Sequence, residues 1–112
     1  MRILSIVQIV PIAEKRAEIL QILSSIKEPV QAIPDCLDCR ICQEESDEGM
    51  IVYLEQWRTW EAFMRHLRSE TYAKILEAIE LSREMPSVTY FEVSSIKGMD
   101  LLNAVRGEKV RD

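Results

Sequence analysis

The chain has 112 residues, of which 47% are hydrophobic and 29% are charged, and its net charge is −5. This length fits one domain with its own core, and the composition is that of a globular protein rather than a disordered one. The acidic balance disfavours a nucleic-acid partner or an anionic membrane surface, because both need a basic face. No apolar run approaches the roughly 20 residues that span a bilayer. No small-residue cleavage site follows the first residues, so we expect a cytoplasmic protein with reduced cysteines.

The first half of the chain predicts a strand, a helix and a hairpin. Residues 3–10 are β-branched and aliphatic, as in a buried strand. Pro11 then suits the first turn of a helix, and apolar residues recur at helical spacing until Glu28 and Pro29 end it. Residues 35–45 and 50–58 predict two strands joined by a turn at residues 46–49.

The second half predicts a helical region, a strand and a short last helix. Thr59 can cap a helix, Ser69 can cap its continuation to about Arg83, and Pro86 closes it. A strand over residues 87–96 and a helix over residues 99–105 follow. This order is that of a ferredoxin-like α+β fold, a split βαβ with a four-stranded antiparallel sheet. We expect one domain over residues 1–98 and a short C-terminal helix with a charged tail over residues 99–112.

The two crossovers should be right-handed, which places both long helices on one face of the sheet. Strand alternation separates the side chains into two sets. We assign the more uniformly apolar set to the helix side: Leu4, Ile6, Val10, Leu37, Cys39, Ile41, Val52, Leu54, Phe91 and Val93. The other set mixes apolar residues with Ser5, Asp38, Arg40, Glu55 and Glu92; its apolar members are Ile3, Val7, Ile9, Ile51, Tyr53, Trp57, Val88 and Tyr90. That second face is too apolar for water, so we expect a homodimer packed sheet on sheet.

The hairpin register refines this expectation. If Ser46 pairs with Gly49, Arg40 lies opposite Glu55 and forms an ion pair in the dimer interior. A glycine bulge at Gly49 would instead pair Arg40 with Gln56. We prefer the first register, because it keeps the two faces chemically distinct.

Three cysteines at regular spacing, Cys36, Cys39 and Cys42, invite a metal-site interpretation. On a strand, neighbouring members of this series are about 10 Å apart and point to opposite faces. A tetrahedral site needs four converging ligands, and the remaining soft ligand, His66, is on a helix. We therefore predict no metal site and interpret the cysteines as small hydrophobic residues.

A longer pattern begins near the end of the third strand. Glu55-Gln56-Trp57 precedes the Thr59 cap, and Glu61-Ala62-Phe63 opens the helix. His66-Leu67, Ser69 and Tyr72 follow. This pattern resembles the antibiotic biosynthesis monooxygenase domain family, whose fold is a dimeric α+β barrel, and the resemblance covers roughly residues 3–96.

The resemblance implies an enzyme that oxidises a small electron-rich aromatic molecule, such as a quinol or an anthrone, with O₂ and without a metal or flavin cofactor. The substrate is deprotonated to an anion that itself reduces oxygen, so the protein supplies a base and a dry pocket. His66 is the candidate catalytic base, because it is the one histidine of the chain and histidine is the residue type whose ordinary charge change falls near neutral pH.

Five further residues are candidates for substrate binding. Trp57, Phe63 and Tyr72 could form an aromatic wall, while Gln8 or Tyr53 could hydrogen-bond a substrate oxygen. Gln8 is a lone amide in the apolar set assigned to the helix side. Tyr53 and Trp57 belong to the dimer-facing set, although Trp57 ends its strand and could reach round the sheet edge.

Structural interpretations of the same residues stay open. His66 could be a partly exposed helix residue paired with water or a carboxylate, Trp57 a core anchor, and Tyr72 a packing residue. Gln8 could simply pair with a neighbouring side chain. The alternative function is a non-catalytic ligand-binding or stress-response dimer on the same fold.

Pocket size should separate the two functions. An enzyme should have a closed pocket of roughly 300 Å³ or more under the second helix, with His66 facing it. A pocket filled by Phe63, Met64 and Leu76 would favour the non-catalytic alternative.

The resemblance does not extend to the haem-degrading branch of the family. That branch has an Asn in the first strand, a Trp at the position of His66 and an iron-binding His near Leu76.

Overall fold

The computed structural model describes residues 1–45 and 49–107 of the chain. Its elements, in order, are β1 (Arg2–Ile9), α1 (Arg16–Gln31), β2 (Cys36–Gln43), β3 (Ile51–Trp57), α2 (Trp60–Leu67), α3 (Glu70–Ile79), β4 (Ser87–Val93) and α4 (Met99–Arg106). The strands form one antiparallel sheet in the order β2-β3-β1-β4. The ferredoxin-like α+β fold is thus confirmed. The turn residues 46–48 and the end of the predicted tail, residues 108–112, lie outside the described residues.

Helix α1 packs on the sheet through a stripe of fully buried apolar residues. The stripe consists of Ile19, Leu23, Ile26 and Val30. A single 3-10 turn at Ala13–Lys15 precedes the helix, which therefore begins later than Pro11. The predicted end at Glu28 is wrong, because Pro29 lies inside the last turn of α1. Burial of Val30 continues the packing pattern beyond the proline. It offsets the loss of the backbone hydrogen bond that proline cannot donate.

The helical region after β3 consists of two helices rather than one. The Thr59 hydroxyl accepts a hydrogen bond from the Ala62 amide at 3.2 Å, and the Ser69 hydroxyl accepts one from the Tyr72 amide at 3.2 Å. Each hydroxyl thereby satisfies an amide that has no partner within its helix. The two caps, both predicted, divide the segment into α2 and α3.

The predicted assignment of the sheet faces is wrong for three strands. Ile3, Ser5, Val7 and Ile9 in β1 are buried beneath the helices, and so are Ile51, Tyr53, Glu55 and Trp57 in β3. In β4, Val88 and Tyr90 pair with Val7 and Ser5 and therefore share that face. The opposite, open face carries the set predicted to face the helices: Leu4, Ile6, Val52, Leu54, Phe91 and Val93.

The inversion has a physical cause. The polar residues Ser5 and Glu55 seemed to mark the face away from the helices, yet both are buried on the helix side. Glu55 is satisfied there by hydrogen bonds from neighbouring side chains. A buried carboxylate with a full set of donors is compatible with a core, whereas one without donors is not.

The register of β2 against β3 also differs from the prediction. Cys39 lies opposite Glu55, and Arg40 lies opposite Leu54 on the open face. Both predicted partners of Arg40 are wrong; its guanidinium instead lies 2.8 Å from the Asp38 carboxylate. The turn closes with the Glu44 amide donating to the Met50 carbonyl, which displaces the ladder by one residue.

A bulge in β2 between Cys36 and Asp38 changes the placement of the cysteines. Cys36 pairs with Trp57 and Cys39 with Glu55, so both face the helices rather than opposite sides. Cys42 is exposed, and all three cysteines are free thiols. Cys39 is fully buried and behaves as part of the core, as predicted.

The open face of the sheet has no helix over it in the described part of the chain. Helix α4 buries none of its residues, and Leu101, Leu102 and Val105 on it are exposed. Phe91 on the open face is 45% exposed. Among the described residues, no helix is long and apolar enough to cross a membrane.

Candidate active site

The site is built around a carboxylate in the middle of β3. Glu55 is 0% exposed. Its Oε1 accepts a hydrogen bond from Trp57 Nε1 at 2.8 Å, and its Oε2 accepts one from the Tyr53 hydroxyl at 2.5 Å. Tyr53 and Trp57 stand two residues before and after Glu55 on the same strand, so the pleat brings all three side chains to one face. Oε2 also lies 2.8 Å from His66 Nε2.

Tyr53 is a fixed donor in this cluster. Burial, followed by the negative charge of Glu55, raises the pKa of the Tyr53 hydroxyl far above its ordinary value. The hydroxyl therefore keeps its proton and donates a hydrogen bond to Glu55. It accepts in turn from the Cys39 thiol at 3.3 Å, and burial raises the pKa of that thiol to about 11.

His66 comes to the cluster from α2. Its side chain is 1% exposed, and its ring stacks on Trp57 with the centroids 4.7 Å apart. A carboxylate only accepts hydrogen bonds, so the proton of the neutral imidazole is assigned to Nε2. Nδ1 then carries a lone pair and has no hydrogen-bond partner among the described residues. This is the arrangement of a general base whose tautomer and orientation a carboxylate fixes.

A cavity of about 240 Å³ adjoins the imidazole. It opens to solvent between the end of α1, the end of β3 and the junction of α2 and α3. The residues that line it are Ile33, Trp57, Ala62, Arg65, His66, Ser69 and Thr71. The cavity is open and somewhat smaller than the closed pocket expected for an enzyme. Phe63, Met64 and Leu76 do not belong to its lining; Phe63 is buried elsewhere in the core, and Met64 and Leu76 are exposed.

The structure brings most of the predicted site residues together. Trp57 lines the cavity and Tyr53 lies behind it through Glu55. Tyr72 meets the edge of the His66 ring at 5.3 Å between centroids, and Phe63 is buried with its ring 6.2 Å from Trp57. Burial raises the pKa of the Tyr72 hydroxyl, so it too stays protonated.

Gln8 is the exception among the predicted residues. It is exposed and pairs with Val52 and Ser87 in the neighbouring strands, so it belongs to the open face. The assignment of Gln8 to the helix-side wall is wrong for the same reason as the inverted faces. Its amide lies across the sheet from the cavity.

Glu55 is the residue that sequence reasoning placed in a different role. It was expected to pair with Arg40 in a dimer interior, yet it holds His66. The available signal was the alternation of Tyr53, Glu55 and Trp57. These are three side chains with polar groups, two of them donors, at spacing that places them on one face. Only the buried histidine on α2 completes the cluster, and its position depends on tertiary packing.

Metal binding finds no support in the residue types at the site. Within residues 1–45 and 49–107 no three His, Cys, Asp or Glu side chains come together as a metal site. The cavity lining supplies one imidazole, two hydroxyls and one guanidinium. A guanidinium repels a cation, so this lining suits an organic molecule better than a metal ion.

Known structures share this fold at low sequence identity. The Rv0793 protein of Mycobacterium tuberculosis is 20% identical, with a TM-score of 0.78 over 88% of this chain and 100% of its own. A conserved protein of Methanosarcina mazei Go1 is 19% identical, with a TM-score of 0.76 over 84% and 94%. A solved antibiotic biosynthesis monooxygenase is also 19% identical, with a TM-score of 0.73 over 83% and 99%.

A search of curated proteins found no match. The family is shown instead by a comparison with models of protein families. The family model for antibiotic biosynthesis monooxygenase matches residues 2–78, which run from β1 to the end of α3 and include Glu55 and His66. This chain therefore belongs to the antibiotic biosynthesis monooxygenase family.

Proposed function

We propose that this protein is a cofactor-independent monooxygenase that oxidises a small electron-rich aromatic molecule of the quinol or anthrone type with O₂. One observation carries the proposal. His66 is held by Glu55 through Nε2, while its Nδ1 is buried without a partner among the described residues, and the residue belongs to the lining of an apolar cavity. A base in this state can accept a proton from a molecule bound in the cavity.

The proposed reaction is written for an anthrone-type methylene group. His66 Nδ1 removes one proton from the methylene carbon, and the resulting carbanion is delocalised over the rings. Electron transfer to O₂ and formation of a carbon–oxygen bond give a peroxide. Loss of the second hydrogen with cleavage of the oxygen–oxygen bond yields a carbonyl group and one molecule of water. One O₂ is therefore consumed per methylene oxidised, and no external reductant is needed.

The buried cluster provides for the positive charge that His66 gains. Glu55 lies 2.8 Å from the imidazole and is itself held by Tyr53 and Trp57. A fixed carboxylate stabilises an imidazolium without reorganising during the reaction. Trp57, Ala62 and Ile33 give the cavity an apolar wall against which the reactive anion would lie.

The test is the fate of labelled oxygen. Purified protein is treated with a chelator and supplied with anthrone under ¹⁸O₂. The expected result is enzyme-dependent oxygen uptake with one labelled atom in the product and the other in water. Uptake that disappears with the chelator, or that matches the rate without protein, would contradict the proposal.

The alternative function, a non-catalytic ligand-binding dimer, is favoured by one observation. The cavity of about 240 Å³ lies below the usual range of about 300 to 1,000 Å³ for ligand sites. A protein of this kind would bind aromatic molecules without consuming oxygen. The labelling experiment distinguishes the two functions when it is paired with a binding measurement.

We further propose that the working unit is a homodimer formed through the open face of the sheet. Leu4, Ile6 and Leu54 on this face are only half-buried, and Phe91 is exposed. A contiguous apolar face of this kind is unfavourable in water. A second copy related by a two-fold axis would cover it with an identical surface.

A further inference from the structure

The mouth of the cavity carries a positive charge in an otherwise acidic chain. Arg65 lines the cavity one residue before His66, and its guanidinium is 69% exposed. The chain as a whole has a net charge of −5. Among the described residues that line the cavity, none is acidic. A cation at this position is thus a property of the cavity rather than of the average surface.

The carboxylate nearest to Arg65 is shared with a second arginine. Asp35 Oδ2 lies 3.8 Å from Arg65 Nη2, and Asp35 Oδ1 lies 3.7 Å from Arg58 Nε. One negative charge therefore faces two positive ones, which leaves a surplus of one positive charge at the exposed mouth, while the Glu55 carboxylate is buried against His66 Nε2. Both contacts are long and solvent-exposed, so they are weak and leave the Arg65 guanidinium able to turn toward a ligand.

The rest of the cavity has an apolar interior and a polar rim. Trp57, Ala62 and Ile33 provide the apolar surface, whereas Ser69 and Thr71 place hydroxyl groups at the start of α3. Glu70 in that first turn is exposed and does not belong to the lining. A molecule that fits this arrangement has a flat apolar body and a polar, negatively charged end.

We infer that the cavity selects aromatic molecules that carry an anionic substituent such as a carboxylate, with Arg65 as the residue that recognises the charge. This inference rests on the proposed function, because it names the substrate class of the same site. Arg65 attracts the substituent at the mouth while the ring lies against Trp57 and His66. The positive surplus also raises the rate of encounter with anionic aromatics at low ionic strength.

The test compares an aromatic carboxylate with its neutral methyl ester. Binding of 2-naphthoate and of methyl 2-naphthoate is measured by calorimetry at low and high salt. Because exposed ion pairs are weak, we expect the wild-type protein to bind the carboxylate about fivefold more tightly than the ester. The preference should decline as salt increases. Equal affinity for the two ligands, or binding of neither, would overturn the inference.

Variants assign the preference to Arg65. Arg65→Gln should weaken binding of the carboxylate more than binding of the ester, and Arg65→Lys should retain most of the preference. Asp35→Asn should increase it, because the competing carboxylate is removed. Arg68→Gln is the control, since Arg68 is exposed and does not belong to the cavity lining. An equal loss in Arg68→Gln, or an equal effect of Arg65→Gln on both ligands, would exclude the assigned role.

Failure of this inference is distinguishable from failure of the proposed function. Ligand affinities are measured without turnover, and oxygen uptake is measured separately. A charge preference without oxygen uptake would contradict the monooxygenase proposal alone. Oxygen uptake with neutral substrates and no charge preference would contradict the role of Arg65 alone.

Discussion

Glu55 is the residue on which the site depends. A carboxylate that is removed from water costs several kcal/mol unless donors surround it. Tyr53, Trp57 and His66 provide these donors through the hydroxyl, the indole N–H and Nε2. The same hydrogen bonds hold His66 in one tautomer, with Nδ1 as its basic atom. Stability and reactivity therefore come from one set of contacts.

The first prediction concerns the Tyr53 hydroxyl. Tyr53→Phe removes a 2.5 Å hydrogen bond to Glu55 and the acceptor of the Cys39 thiol. Hydrogen bonds to charged groups contribute about 1.5–3 kcal/mol, so we expect a loss of roughly 2 kcal/mol in the free energy of unfolding. Urea denaturation measures it. Tyr90→Phe is the comparison, because its exposed side chain hydrogen-bonds the neutral Tyr72 rather than a carboxylate and a smaller loss is expected. An equal effect of the two variants would exclude the proposed role of the Tyr53 hydroxyl.

The second prediction concerns alkaline pH. Burial raises the pKa of the Cys36 thiol to about 12 and that of Cys39 to about 11, from an ordinary value of 9.0. Above the ordinary value, unfolded thiols ionise while folded ones keep their protons. Their contribution to stability is thus complete below pH 9 and is lost as the pH rises toward 11.

Urea unfolding under reducing conditions at about pH 8 and pH 10.5 measures this loss. The double variant Cys36→Ala/Cys39→Ala should lose less stability between the two pH values than the wild type does. The pKa values of the Tyr53 and Tyr72 hydroxyls are raised as well, so both contribute to the loss that remains in the double variant. Cys42→Ala, at an exposed thiol, should behave like the wild type. Identical pH dependence in all three proteins would show that the buried thiols do not contribute.

At residue scale, the sequence permitted a prediction of His66, Trp57, Phe63 and Tyr72 as neighbours. The family resemblance implied this grouping, and the structure places the four residues at the end of β3, on α2 and at the start of α3. Glu55 could not be assigned its partner, because the choice between the faces of β3 depends on contacts across the sheet. A charged side chain normally faces solvent, whereas Glu55 lies in the core with its hydrogen bonds satisfied.

Elements of the fold are fixed by short-range signals that the sequence shows plainly. The Thr59 and Ser69 caps define the starts of α2 and α3, and each was predictable from the residue type and its position. The register of the β2–β3 hairpin was not predictable. A shift of one residue exchanges the faces of a strand, and turn geometry decides it. The bulge after Cys36 adds a second irregularity of this kind.

The third prediction concerns Gly49 in the β2–β3 hairpin, which contacts Arg16 at the start of α1. Gly49 has φ +63°, and a Cβ there would lie 2.5 Å from Arg16 Nη1. Arg16 also donates to the Gly49 carbonyl and to the Gln43 side chain. Because L-residues disfavour positive φ by roughly 1–2 kcal/mol, Gly49→Ala should lower the unfolding free energy by about that amount.

Thermal and urea unfolding measure the effect. Gly98→Ala is the matched control, since the φ of Gly98 is −123° and a Cβ there would meet nothing within 4 Å. Equal stability of the two variants would show that the left-handed conformation of Gly49 is not required in the folded protein.

The whole molecule covers one face of its sheet and leaves the other open. Helices α1, α2 and α3 bury the face that carries Glu55, whereas α4 buries nothing. The ferredoxin-like order was predictable, because strand alternation and helix caps locate the elements along the chain even when the predicted strand register is wrong. The bare second face was predictable as well, because the chain has too few helices for both. Which residues occupy it was not, since both sets of strand residues are apolar.

The fourth prediction tests the proposed dimer. Ile6 lies on the open face of β1 between Leu54 and Thr89 in the neighbouring strands, so no cation stands opposite it in the sheet. Ile6→Glu would place an unpaired charge in the interface at a cost of about 3–5 kcal/mol, which weakens association more than 100-fold. Sedimentation equilibrium should show a dimeric wild type and a monomeric variant. Leu76→Glu, at an exposed position of α3, should remain dimeric, and a monomeric wild type would contradict the proposal.

The central claim is that His66 takes a proton from a bound aromatic molecule that then reacts with O₂. The most direct test is the rate of oxygen uptake with quinols and anthrones, compared between the wild type and His66→Ala. Met64→Ala, two residues away and exposed on the same helix, is the matched control. Positioned bases contribute about 10²–10⁴-fold, so we predict a loss of that order in His66→Ala alone. Equal rates in His66→Ala and the wild type would contradict the account.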